Sequence, residues 1–197
     1  MLLSTLAFVP QASAATFTLD SFSVTYNQLD AGLKLVAGPS VPFDGNYTTP
    51  DLSVGESHTF DLFWLAANEG SIENDDKGFR PIGVNFNFSL PNGAGAITGT
   101  TVGGETCFIV CGVTEFAQVN WNDPLVLSFG NGGEFMVALG DARFAGGVFG
   151  LNVYNGVDIQ ATITYTQAAT APEPASMLLL GTGVVGLAAR RFRGRKA

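Results

Sequence analysis

Few side chains in this 197-residue chain are equipped for chemistry, and they fall into three groups. Cys107 and Cys111 are the only cysteines, in the run Cys-Phe-Ile-Val-Cys. His58 is the only histidine, and Glu69, Glu73, Asp75 and Asp76 crowd one short stretch. An even cysteine count favours a disulfide in an oxidising compartment. Geometry resists it, because an extended strand would hold the two α-carbons about 13 Å apart and a bridge needs less than about 7 Å. A Cys107–Cys111 bridge therefore requires a tight turn against the extended preference of Phe-Ile-Val. It would contribute only about 2 kcal/mol, because the closed loop is small. Redox catalysis fits less well, since the helical setting of a thioredoxin-like pair is missing.

One histidine cannot build a multi-histidine zinc site, and no Gly-x-Ser-x-Gly accompanies it, so His58 reads as a half-exposed strand residue. The acids Glu69, Glu73, Asp75 and Asp76 are calcium candidates on charge alone. Their spacing lacks the Asp-x-Asp-x-Asp-Gly of an EF-hand, and a solvated loop is the simpler reading. Gly103-Gly104 and Gly130, Gly132 and Gly133 precede strand-like runs, not helices, so they read as turns and not as phosphate cradles. No catalytic residue, no cofactor and no other metal site is expected, and the chain reads as a non-enzyme.

The elements that must position these groups are strands. Polar residues alternate with apolar or aromatic ones at period two over 16–19, 22–26, 58–65, 82–90, 117–121, 125–129, 134–139 and 157–165. Turn signals separate them: Pro91-Asn92-Gly93, Asn122-Asp123-Pro124, Gly130-Asn131-Gly132-Gly133 and Asn155-Gly156. No 3.6-residue stripe lasts three turns, so the fold class is all-β. An antiparallel β-sandwich is expected over 15–166, with a jelly roll as the close relative and a short C-terminal transmembrane helix beyond it. Residues 133–167 look like consecutive hairpins. Residues 35–53 and 66–78 read as exposed loops, and 167–171 as a plain linker.

Charge divides the chain. Five of its nine bases, Arg190, Arg191, Arg193, Arg195 and Lys196, lie in the last eight residues. From Thr16 to Ala171 there are four bases against 16 acids, a net −12. Such a body repels phosphate backbones, so nucleic acid is not an expected partner. An apolar fraction of 46% with 16 Phe excludes a disordered chain, and 25 Gly without a three-residue period exclude collagen.

Both ends read as addresses. Residues 2–9 are an apolar run, followed by Pro10 and by Ala12-Ser13-Ala14, the small-x-small site of a signal peptide cut after Ala14. No base precedes Lys34, so the signal is expected to be truncated at its start. At the other end, Pro172-Glu173-Pro174 precedes an uncharged apolar span at 175–189, and the basic cluster follows. Its 15 residues span roughly 22 Å as helix, short of the ~30 Å hydrocarbon core, so snorkelling arginines or local thinning must assist. Bases after the span stay cytoplasmic and place the acidic body outside.

This order of parts closely resembles the PEP-CTERM sorting signal of Gram-negative bacteria. The resemblance covers only the last 27 or so residues, but three ordered features coincide. It implies recognition by exosortase, an integral-membrane cysteine transpeptidase-like enzyme that cuts near the Pro-Glu-Pro motif, after a transient stay in the inner membrane. It also implies association with extracellular polysaccharide and biofilm matrix. The expected function is thus an exported surface or matrix protein. The alternatives are a carbohydrate-binding module, using Trp64, Trp121, Tyr47 or Tyr154 to stack on sugars, and a glycan-acting enzyme with two carboxylates.

Overall fold

The computed structural model describes residues 14–40, 46–108, 112–148, 151 and 155–170. They form eleven strands and, among the described residues, no helix. The strands are β1 (Thr18–Thr25), β2 (Leu35–Pro39), β3 (Tyr47–Thr48), β4 (Ser57–Ala67), β5 (Arg80–Leu90) and β6 (Asn92–Phe108). Then come β7 (Gly112–Trp121), β8 (Leu125–Phe129), β9 (Gly133–Leu139), β10 (Ala142–Val148) and β11 (Val157–Gln167). They build two antiparallel sheets, one of six strands in the order β10-β7-β6-β5-β1-β3 and one of five in the order β2-β4-β11-β9-β8. The all-β expectation holds.

Side-chain alternation explains why the two sheets share one core. In β5, Ile82, Val84, Phe86 and Phe88 are buried while Asn85, Asn87 and Ser89 are exposed. In β11 the inward set is Ile159, Ala161, Ile163 and Tyr165. Strand β4 breaks the alternation at Leu62-Phe63, both fully buried. The ladder accounts for this: Ile159 pairs with Phe63 and Gln160 with Asp61, leaving Leu62 as the extra residue of a bulge. Phe135 joins the layers, with its ring 4.8 Å from Phe17 and 5.0 Å from Phe88.

Several expectations are corrected. The separate runs at 16–19 and 22–26 form one strand, β1, with a register shift at Asp20. The segment 35–53, expected as a loop, carries β2, β3 and a bridge between Ala15 and Leu52. Strand β6, at 17 residues the longest, was legible only as glycine-rich turns. Its glycines are sites of close approach: a Cβ on Gly99 would lie 2.5 Å from the Asn120 carbonyl oxygen, and one on Gly104 would lie 2.3 Å from the Phe116 ring. Gly103 and Gly104 are therefore mid-strand residues on which neighbours lie, not turn residues.

The region 133–167 is not a run of hairpins. Strands β8 and β9 do form one, but β10 crosses to the six-stranded sheet and pairs with β7. Strand β11 then returns between β9 and β4. Strand β10 escaped the sequence reading because Ala142–Val148 contains a Gly-Gly pair, a register shift between Phe144 and Gly147, and Ala145 at φ 56°.

Candidate functional site

Five acids meet at one end of the two-sheet domain. There β4 ends at Ala67, and the Asn68 N–H donates to the Lys34 carbonyl oxygen over 2.9 Å. The chain then loops to β5 past Glu69, Gly70, Ser71, Glu73, Asp75 and Asp76. With Asp30 these residues line a cleft of about 260 Å³. The structure thus brings together all four sequence-proposed acids. It adds Asp30, which the sequence separates from them by 39 positions.

Loop closure occupies much of their hydrogen-bonding capacity. Glu69 Oε1 accepts the Lys34 N–H over 2.7 Å, and Asp75 Oδ2 accepts the Gly32 N–H over 3.0 Å. Asp76 Oδ2 accepts the Glu73 N–H over 2.7 Å, while its own carbonyl oxygen accepts the Gly103 N–H over 2.8 Å. The loop is largely exposed, as expected, but Asp76 is 1% and Ile72 7% exposed. A buried carboxyl needs partners, and the loop's own amides supply them. Among the described residues, no three acid, histidine or cysteine groups converge in a way that could hold a metal ion.

Electrostatics follow from this crowding. Burial pushes the Glu69 carboxyl up to about 7, and the neighbouring Asp76, Asp30 and Asp75 add to the rise against the opposing Lys34 amide. Burial also raises Asp76 above the usual carboxylate range.

Two further acids at this end gave no sequence signal. Glu105 and Glu115 face each other across the β6–β7 ladder, a like-charge pairing that destabilises a sheet. Each is offset by a partner: Lys77 Nζ lies 2.9 Å from Glu105, and the Ile72 N–H donates to Glu115 over 2.7 Å.

The other proposed site residues are dispersed. Cys107 pairs in register with Val113, and the last ladder pair is Phe108 with Gly112, so the chain reverses within the cysteine motif. Cys111 lies outside the described residues, as do Ala12, Pro172, Glu173, Pro174, the span at 175–189, and Arg190, Arg191, Arg193, Arg195 and Lys196. No described helix is long and apolar enough to cross a membrane. His58 shares a 2.5 Å hydrogen bond with the Tyr47 hydroxyl, and both rings stack in a row with Phe60. Trp121 packs edge-on against Phe63 at 6.3 Å, and Trp64 is half-buried beside Gly156. Tyr47, Trp64 and Trp121 are engaged in packing, and Tyr154 lies outside the described residues.

The opposite end of the domain carries the first and last described residues, Ala14 and Thr170. Ala14, the first described residue, is exposed, and Ala15 bridges to Leu52 with two 2.9 Å hydrogen bonds. After β11 the chain is not a plain spacer. Ala168 packs on the core, and Thr170 is bonded to the β8–β9 turn at Asn131. Residues 170–194, which begin at that contact, match the PEP-CTERM protein-sorting motif. The motif implies export and a membrane-anchored precursor processed by exosortase. No curated protein and no solved structure matches the chain.

Proposed function

We propose that this is an exosortase-processed protein of the cell surface or extracellular matrix, associated with exopolysaccharide, whose acidic two-sheet domain works by binding and not by catalysis. The carrying observation is the PEP-CTERM motif at 170–194, set directly after a folded all-β body. Physical logic supports processing there. The two prolines at 172 and 174 fix φ and disfavour helix, which leaves Glu173 on extended chain that a protease can thread. The bases from Arg190 onward act as a topological stop and leave with the tail.

In support of a non-catalytic role, carboxylates of the cleft accept the backbone N–H groups of Gly32, Lys34 and Glu73. The experiment is the mass of the native protein's C-terminus. A mature chain ending near Pro172-Glu173-Pro174 is the expected result. A chain still ending in Arg195-Lys196-Ala197 in cells that carry exosortase would overturn the processing claim.

A further inference from the structure

We infer that the end of the domain bearing Ala14 and Thr170 lies against the lipid surface while the precursor is anchored, with Val54 and Leu90 as its contact residues and the acidic cleft turned away. The inference rests on reading the tail as a membrane-anchored sorting segment and adds how the body is presented above it.

The first support is reach. Thr170 is bonded to Asn131, and the uncharged span begins at Ala175. Five Cα steps cover at most about 18 Å. The β8–β9 turn must therefore sit within that distance of the start of the span. The second is topology. The Ser53–Glu56 turn is stitched to the end of β11, with the Gly55 N–H donating to the Tyr165 carbonyl oxygen over 2.7 Å and the Tyr165 N–H donating to the Glu56 carbonyl oxygen over 3.0 Å. Leu90 closes β5 opposite Thr18, at the start of β1. Both turns thus share the end from which the tail leaves.

The third support is surface chemistry. Val54, in the 53–56 turn, is 43% exposed and Leu90, at the end of β5, 53% exposed, two apolar side chains at the end of the domain from which the tail leaves. Leu29 and Phe79 are more exposed, at 70% and 71%, but they adjoin the acidic cleft at the far end. Strand β11 separates the two ends by roughly 33 Å at about 3.3 Å per residue. Charge does not choose between the two ends: the acids of the far end are accompanied by Lys34, Lys77 and Arg80, and the near end carries Asp20, Asp51, Glu56 and Glu134, so reach and apolar contact set the facing. A tether this short raises the effective concentration of the near end at the bilayer, so two weak apolar contacts are enough.

The test places a photo-crosslinking benzoylphenylalanine at 54, 90, 29 or 79 of the full precursor, reconstituted in phosphatidylethanolamine–phosphatidylglycerol vesicles and also expressed in cells with exosortase. Lipid adducts at 54 and 90 at least fivefold above those at 29 and 79 are expected. Equal or reversed yields, or adducts at 54 and 90 that are protein instead of lipid, overturn the inference. A parallel carbonate wash separates the failures. A chain stripped from the vesicles defeats the anchored-tail reading and this inference together. A chain that resists washing but gives no lipid adducts at 54 and 90 defeats this inference alone.

Discussion

Thr170 commits two donors to one acceptor: its backbone N–H and its hydroxyl each lie 2.9 Å from the carbonyl oxygen of Asn131. That carbonyl belongs to the β8–β9 turn, whose Gly130 and Gly132 hold positive φ. The clasp sets the point from which the sorting tail departs, two residues before Pro172.

Thr170→Val keeps the N–H donor and the side-chain shape but loses the hydroxyl bond. Global stability should fall by no more than about 0.5–1 kcal/mol, since the bond is exposed. Fraying should be local, so amide hydrogen exchange over 167–170 should accelerate several-fold while exchange in β4, β9 and β11 stays nearly unchanged. Exchange equal to wild type would show that the clasp does not hold the linker.

Phe135 is fully buried, and its ring meets Phe17, Phe88 and Phe129 at 4.8, 5.0 and 6.1 Å. Phe135→Ala removes the contact between sheets and leaves a cavity. The expected loss is about 3–5 kcal/mol in urea unfolding.

Gly99→Ala tests the close packing of β6. The added methyl would meet the Asn120 carbonyl oxygen at 2.5 Å and the Trp121 ring at 2.9 Å, and backbone cannot step aside as a side-chain tip can. Destabilisation of about 1–3 kcal/mol is expected. An unchanged urea midpoint would show that β6 and β7 are spaced more widely.

Glu69 makes stability depend on pH. Its folded carboxyl titrates at about 7 and its ordinary value is 4.5, so between these the folded state holds more protons than the unfolded chain. Stability should therefore fall as pH rises from about 4.5 to 7, and Asp76, also raised, pulls the same way. Glu69→Gln keeps an acceptor for the Lys34 amide and removes the charge. At pH 8 it should be more stable than wild type by about 1 kcal/mol, the screened worth of a partly exposed carboxylate, with the gap closing near pH 4. Urea midpoints across pH 4–9 read both curves. Parallel curves would mean that the Glu69 carboxylate feels neither burial nor its neighbours.

Much of the fold is legible in the sequence because its causes are local. Period-two alternation in Ile82-Gly83-Val84-Asn85-Phe86-Asn87-Phe88 needs only a buried face and a wet one, so β5 was plain, as were β4, β9 and β11. The sorting motif was equally open, since proline, an uncharged run and a basic end act as linear chain chemistry.

By itself the sequence determined the strand class, the charge split and the sorting tail, each carried by neighbours along the chain. Tertiary structure alone decided the rest. Strand β6 exists because Leu125, Trp121 and Phe116 lie on its glycines, contacts made with residues 12 to 30 positions away. Asp30 joins Glu69 and Asp75 only because the Gly32 and Lys34 amides bind their carboxylates. Ala15 and Thr170 share one end of the domain because Ala15 bridges to Leu52, just before the 53–56 turn, and the last residues of β11 meet that turn and the one at 130–132. Register and layer placement depend on packing between distant segments, and no local alternation encodes that.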